Sequence, residues 1–366
     1  MRLPSAILFA LSLFAAAPAW SAPAYVVVDV VTGAMLSERS GDRLWYPASV
    51  TKLMTSYLVF KALKSGQLKP TSPVVVTANA LKEPPSKMGY KVGTVMNVDN
   101  ALKMMLVKSA NDIAVALAET VGGTEAKFVA LMNAEARRLG MNSTHYNNPN
   151  GLPDDGQYTT ARDLAVLSRA IWIEFPEHRD LFRIPAIKAG NRILRSQNTL
   201  LERYRGANGM KTGFICASGF NMVASATRNG RTLIAVVLGA TSSVERAETA
   251  AELLERGFAG KLGPARSLSS FGAGRSAGVP VNLRDDVCRR PKKAAVAIEA
   301  DAEPEPDSGS ALLGEKFAVM APVPVFTGRA DPLPGKAATP VAAAAAATVP
   351  LPRLRPAYPP AMLKAQ

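Results

Sequence analysis

Tyr46-Pro47-Ala48-Ser49-Val50-Thr51-Lys52-Leu53-Met54-Thr55 is the stretch from which the rest of the chain can be read. Pro47 and Ser49 are helix-start residues. Leu53, Met54, Tyr57, Leu58 and Phe60 then recur at helical spacing, so a helix is predicted to run inward from here. Residues three apart share a helix face, which brings Lys52 up beside the Ser49 hydroxyl with its stem among apolar neighbours. A lysine desolvated in this way, with a second cation nearby, loses affinity for its proton and can take one from a serine at neutral pH. The plain alternative is a helix capped by Ser49, with Lys52 reaching solvent. A Ser-x-x-Lys spacing arises about once by chance in a chain of this length, so the pair needs support from elsewhere.

On the N-terminal side, Tyr25 to Val30 and Ala34 to Ser37 are strand-like runs split by Thr32-Gly33, which predicts a hairpin leading directly into the Ser49 helix. Before it, Arg2 precedes an apolar run from Ile7 to Ala17 that ends in small residues. The run is too short to span a bilayer comfortably and has the form of a secretory signal, with cleavage after Ala19 or Ala24. Residues 1–24 are therefore read as an export address. No other run of eighteen or more apolar residues occurs, so no transmembrane span is expected.

On the C-terminal side, the region between Val74 and Val98 reads as loops and small strands broken by Pro84-Pro85 and Gly89. A second dense stretch follows, with one helix ending near Lys108, another starting near Asp112, and Ser109-Ala110-Asn111 at the break. A break of that kind lets short polar side chains point into a cleft. Ser109-x-x-Asp112 also has the pattern of a capping box, and Asn111 could simply satisfy backbone groups. Ala126 to Leu139 and Thr160 to Trp172 carry the 3.6-residue period of helices, joined through the turn cluster Asn147-Asn148-Pro149-Asn150-Gly151.

The third stretch runs from Asn208 through Lys211-Thr212-Gly213-Phe214 to Ala226. The hairpin turn Arg228-Asn229-Gly230-Arg231 and the strand Thr232 to Gly239 come next, so Lys211-Thr212-Gly213 should lie on a strand bordering that pair. Gly213 has no side chain and so permits another backbone to approach, as a substrate added as an extra strand would require. In isolation the tripeptide reads as well as a strand start with an exposed lysine. A helical run from Val244 to Phe258 closes the compact part.

Lys and Arg number 43 against 29 Asp and Glu, a net charge of +14 that favours anionic surroundings. Export argues against nucleic acid, and aromatics make up only 6% of residues, too few to interleave a basic groove with stacking platforms. His145 and His178 are the only histidines, which leaves no metal-ligand spacing and no Ser-His-Asp triad, and no Gly-x-Ser-x-Gly elbow occurs. No metal or cofactor is expected.

Ser-x-x-Lys at Ser49 and Lys52, Ser-x-Asn at Ser109 and Asn111, and Lys-Thr-Gly at 211–213 follow one another at separations of 60 and 102 residues. Together they match the known signature of penicillin-interacting serine enzymes. From about Tyr25 to Gly260 the sequence resembles the D-alanyl-D-alanine carboxypeptidases, the low-molecular-weight penicillin-binding proteins of peptidase family S11. The likeness extends to Asp29-x-x-Thr32-Gly33, Asn148-Pro149-x-Gly151-Leu152, Thr160-Ala161-Arg162-Asp163-Leu164 and Gly219-Phe220-Asn221.

The resemblance implies an α+β fold of the β-lactamase/transpeptidase type, an antiparallel sheet flanked by helices plus a helical subdomain. It implies Ser49 as nucleophile on the bond between the terminal D-alanines of a peptidoglycan stem peptide, and Lys52 as its base. Ser109 would relay protons to the leaving amine, and Asn111 would hold Lys52 and a substrate amide. Lys211 and Thr212 would face the terminal carboxylate, with the N–H groups of Ser49 and Phe214 as oxyanion hole. β-Lactam antibiotics would acylate Ser49. A β-lactamase is disfavoured because no Glu lies between Glu135 and Glu174 to activate a water; a catalytically weak wall-binding scaffold is the remaining alternative.

Three departures stand out. Phe214-Ile215 follows Lys-Thr-Gly where the family often has a further hydroxyl. Gln197 precedes Asn198-Thr199-Leu200-Leu201 where an Arg is frequent. The family's small second β-domain and membrane-surface helix find no match after residue 260. Of the 27 prolines 13 fall after residue 290 and alanines fill 342–347, so 261–290 is read as a linker, with a tether to the catalytic part left open, and 291–366 as a Pro/Ala-rich disordered tail. From 261 onward 14 basic and 9 acidic residues leave +5, enough for weak attraction to anionic envelope surfaces. Cys216 and Cys288 are too few for a disulfide scaffold but could form one bridge in an oxidising compartment, pinning residues near 288 to the strand that carries Gly213.

Overall fold

Segments that lie far apart in the sequence pair edge to edge in one sheet. The computed structural model describes residues 22–263, 266–272, 274–288 and 310–329, so residues 1–21 of the export signal predicted at 1–24 and the stretches 289–309 and 330–366 lie outside the described residues. β1 (Ala24–Asp29) and β2 (Ala34–Arg39) form the first hairpin. The Ser49 stretch makes a 3₁₀ turn over Ala48–Thr51 that continues as α1 (Lys52–Lys64). β3 (Pro73–Val75), α2 (Ala78–Lys82) and β4 (Thr94–Asn97) lead to α3 (Val98–Val107), α4 (Asn111–Gly122), α5 (Glu125–Arg138) and α6 (Ala161–Glu174). After a 3₁₀ segment, Pro176–Arg183, come β5 (Ala186–Ala189), β6 (Arg192–Arg195) and α7 (Leu200–Arg203). The long strands β7 (Ala207–Ile215), β8 (Gly219–Arg228) and β9 (Arg231–Ala240) precede α8 (Ser243–Phe258). Short pieces follow, β10 (Arg266–Ser267), α9 (Arg284–Val287), β11 (Val323–Val325) and β12 (Gly328–Arg329).

The main sheet has the order β10-β2-β1-β9-β8-β7, with antiparallel neighbours throughout. Period-two alternation sends Leu233, Ala235 and Val237 of β9 into one cluster with Ala247, Ala250 and Leu254 of α8. Ile234, Val236 and Leu238 go to the opposite face, where α1, α4 and α6 pack. Both faces are covered, so β9 reads as an unbroken apolar run. β7 is the edge strand, which leaves one side of Lys211-Thr212-Gly213 unpaired. The hairpin between β8 and β9 turns through Asn229 and Gly230, at φ 49° and 76°, the positive angles a two-residue turn needs. Thr160 caps α6 by accepting the Asp163 N–H.

Two expectations need correction. Within 74–98 a short helix, α2, stands where loops and small strands were expected; Thr77 caps it by accepting the Ala80 N–H. The second concerns the chain after residue 260. The Val281 and Leu283 N–H groups donate to Leu44 and Ala217 carbonyls, and Cys216 is joined to Cys288, the Cα atoms 5.6 Å apart. Residues 281–288 are thus tied to the sheet, through the bridge that the two cysteines allowed.

Part of the expected disordered tail also returns to the body. Leu313 is buried in the cluster beneath α8, Lys316 pairs with Glu202 at 3.3 Å, β11 runs parallel to β5, and β12 pairs with β4. Pro324 is tolerated because β11 is an edge strand, where a missing N–H breaks no ladder bond. Composition averaged over the tail hid a short segment with its own apolar alternation. Among the described residues no helix is long and apolar enough to cross a membrane.

The bridge closes a sequence separation of 72 residues, and closing a loop of that size restricts the unfolded chain. Cys288→Ser is expected to lower stability by about 2–4 kcal/mol. Denaturant unfolding with and without a reductant checks this: the reductant should destabilise the natural chain by a similar amount and leave the variant unchanged.

Candidate active site

Lys52 is fully buried, at 0% exposure, in the first turn of α1. The solvent-reaching alternative is therefore wrong. Its Nζ donates to Ser49 Oγ at 3.0 Å, to Asn111 Oδ1 at 2.7 Å and to the Asn150 carbonyl at 2.5 Å. A buried amine must keep such acceptors, because losing one costs about 1–3 kcal/mol. Three separate parts of the chain meet at this nitrogen: the Ser49 turn, the start of α4, and the loop before α6.

The capping-box reading of Ser109 also fails. Ala110 occupies the N-cap of α4 and makes no side-chain cap bond, while Asp112 accepts the Met88 and Gly89 N–H groups. Ser109 adopts φ 62° and Ala48, just before Ser49, φ 50°, both in the left-handed region that non-glycine residues avoid. Such strain costs on the order of 1–3 kcal/mol per residue and persists only where surrounding contacts impose it.

Ser49, Ser109, Asn111, Gly213 and Phe214 line one cleft, whose other walls include Ser86, Leu152 and Gln197. Lys211 and Thr212 lie deeper, each 3% exposed, with Lys211 Nζ donating to the Thr212 carbonyl at 2.9 Å. An exposed lysine at the strand start is thereby excluded. Burial, and then the charge of Arg246, bring the Lys211 ammonium down to about 7.

Gly213 needs its missing side chain for a reason the sequence did not reveal. A Cβ there would stand 2.8 Å from the Ser49 nitrogen and 3.0 Å from that of Val50, so the close approach is made by the protein's own Ser49 turn. Asn221, fully buried on β8, reinforces the same junction. Its Nδ2 donates to the Tyr46 and Pro47 carbonyls, and its Oδ1 accepts the Gly239 N–H.

Two residues near the site went unremarked in the sequence. Arg246 sits on the sheet-facing side of α8 and donates to the Gln197 carbonyl at 3.2 Å. Its spacing from Ala247, Ala250 and Leu254 could have signalled a buried cation. Glu83 accepts a hydrogen bond from Asn150 at 2.7 Å, and no motif signal points to it.

A helix-flanked antiparallel sheet, with a buried lysine beneath a serine and a Lys-Thr-Gly edge strand, defines the architectural class of the penicillin-binding proteins and DD-transpeptidases. The family model described as D-alanyl-D-alanine carboxypeptidase matches residues 12–242. The chain belongs to that family, peptidase S11. It is 38% identical over 269 residues to the D-alanyl-D-alanine carboxypeptidase DacC of Escherichia coli, covering 69% of this chain and 66% of that protein. The crystal structure of penicillin binding protein 5 from Haemophilus influenzae superposes with a TM-score of 0.62 at 35% identity, covering 66% of this chain and 72% of that one. Penicillin-Binding Protein D2 of Listeria monocytogenes in its cefotaxime-bound form gives a TM-score of 0.59 at 32% identity, covering 65% and 97%. The matches to DacC and to DacD of Salmonella typhimurium span 66% and 63% of those proteins, just under two thirds.

Gly213→Ala is expected to cost about 1–3 kcal/mol, because both clashing atoms are backbone and cannot rotate away. A thermal melt that falls for this variant, and not for Gly263→Ala, where a Cβ meets open space, checks it.

Proposed function

We propose that this protein is a serine D-alanyl-D-alanine carboxypeptidase that removes the terminal D-alanine from peptidoglycan stem peptides. The observation that carries the reading is the buried Lys52 amine 3.0 Å from the Ser49 hydroxyl, at the floor of a cleft. In this reading Ser49 Oγ attacks the carbonyl carbon of the penultimate D-alanine and Lys52 takes its proton. The C–N bond then breaks, the leaving amine gains a proton through Ser109, and water hydrolyses the ester on Ser49. Asn111 holds the lysine and a substrate amide.

The N–H groups of Ser49 and Phe214 serve as fixed donors for the oxyanion. The tight packing of Gly213 on the Ser49 turn supports this, since donors held in place need no reorganisation as charge develops. Lys211 and Thr212 receive the terminal carboxylate, with Arg246 adding positive potential behind Gln197. A relative with cefotaxime bound supports the further reading that β-lactams acylate Ser49. The work takes place outside the cytoplasmic membrane, as the leader-like residues 1–24 suggest. Residues 25–260 form the catalytic part, and the basic tail beyond adds weak attraction to anionic surfaces.

Intact mass after incubation with penicillin tests the proposal. The natural chain should gain one penicillin, Ser49→Ala none, and Lys52→Ala should label about 10²–10⁴-fold more slowly, as loss of a positioned base demands. A label retained in Ser49→Ala would overturn the assignment.

The buried Lys211 adds a pH dependence. Its proton leaves the empty site above about pH 7, and an uncharged amine pairs poorly with a carboxylate. The kcat/KM for a peptide ending in D-Ala-D-Ala should therefore decline as pH rises past about 7. Ending the peptide as an amide should remove that decline.

A further inference from the structure

Glu83 lies in none of the three motif stretches, yet it completes the hydrogen bonding behind Lys52. Asn150 presents three polar groups in three directions. Its carbonyl takes Lys52 Nζ at 2.5 Å, its Nδ2 donates to Glu83 Oε2 at 2.7 Å, and its Oδ1 accepts the Leu152 N–H at 3.0 Å. Asn150 is 1% exposed and Glu83 only half-buried, so once the carboxylate is lost the Asn150 Nδ2 has at best a mobile water in place of a fixed acceptor. A side chain released from Glu83 lets the 150–151 peptide tilt, and the carbonyl that Lys52 uses belongs to that peptide.

The residues after Glu83 hold the lysine's other acceptor. The Pro84 carbonyl accepts from Asn111 Nδ2 at 3.0 Å, and the Ser86 carbonyl accepts the Asn111 N–H at 2.8 Å. Two consecutive prolines stiffen this segment by fixing φ. Four residues, 83–86, therefore anchor both oxygens that face Lys52 opposite Ser49.

We infer that Glu83 is a positioning residue for the acylation step: its carboxylate locks Asn150 so that the Asn150 carbonyl holds Lys52 Nζ against Ser49 Oγ. The inference rests on the reading of Ser49 and Lys52 as the acylating pair. Burial, and Glu125 on α5, push the Glu83 carboxyl above the ordinary range; the Asn150 hydrogen bond and the charges of Lys52 and Lys82 pull the other way. The acid sought between Glu135 and Glu174 thus has a counterpart from before the second motif, but one in a different place. Glu83 reaches the site through Asn150, which assigns it to the lysine and not to a hydrolytic water in the cleft.

The test is the rate of penicillin labelling per active site in the full chain, with label stoichiometry counting the folded sites. Glu83→Ala should label to the natural stoichiometry about tenfold more slowly, since small displacements of a reacting group weigh heavily on rate. On a D-Ala-D-Ala peptide its kcat should fall by the same factor with KM unchanged. Glu83→Gln keeps an acceptor oxygen for Asn150 and should stay within about twofold of the natural rate, a rescue that general loss of stability would not produce. A natural per-site rate in Glu83→Ala overturns the inference. So does a Glu83→Gln as slow as Glu83→Ala, which would put the effect in the charge. If Glu83→Ala does not fold, Glu83→Asp, too short to span to Asn150, takes its place with the same expectations. An unlabelled natural chain would overturn the reading of Ser49 and this inference with it.

Discussion

The burial of one lysine organises the molecule. An amine withdrawn from water costs several kcal/mol unless its hydrogens find oxygens, so Lys52 can stay at 0% exposure only if Ser49, Asn111 and Asn150 converge on it. Those three acceptors belong to the 3₁₀ turn that opens α1, to α4 and to the loop before α6. Satisfying the lysine is therefore the same event as bringing α4 and that loop against the Ser49 turn. Two of the bonds hold the nitrogen in place. The third is the chemically reversible one, because a hydroxyl can accept from an ammonium or donate to a neutral amine.

The second constraint is closeness. The Ser49 turn is pressed against β7 so tightly that only glycine fits at 213, and Gly151, at φ 90°, abuts the Ala48 backbone from the other side. Asn221 ties Tyr46 and Pro47, just before the turn, to β8. Held on three sides, the turn sustains the left-handed angle at Ala48, which in a looser setting would relax. Rigidity of this kind can fix reacting groups without using the free energy of substrate binding to do so.

Beyond residue 260 the chain solves a different problem. Two-stranded and three-stranded sheets are weak by themselves and need something to pack against. Here the segment 310–329 supplies extra edges, β11 to β5 and β12 to β4, while Leu313 enters the cluster under α8. The bridge from Cys216 holds 281–288 near the end of β7. The helical part and the far side of the sheet are thus linked by a piece of chain whose overall composition resembles a tail.

Much was legible in the sequence because its signals are local. The apolar run of β9, the Asn229-Gly230 turn and the helical periods of α5 and α6 each depend on neighbours within a few residues. The three polar stretches could be picked out for the same reason, and the three-residue spacing put Lys52 beside Ser49 while leaving burial and exposure both open. Tertiary structure alone decided which interpretation of each polar residue holds. It turned Ser109 from a possible cap into a strained wall of the cleft and gave Gly213 its role against Ser49. It also brought in Glu83, which carries no local pattern, and set Asn150 and Arg246 beside the cleft. Periodicity records how a residue sits on its own helix or strand. Contacts between segments about a hundred residues apart depend on how whole elements pack, and no window of sequence contains that packing.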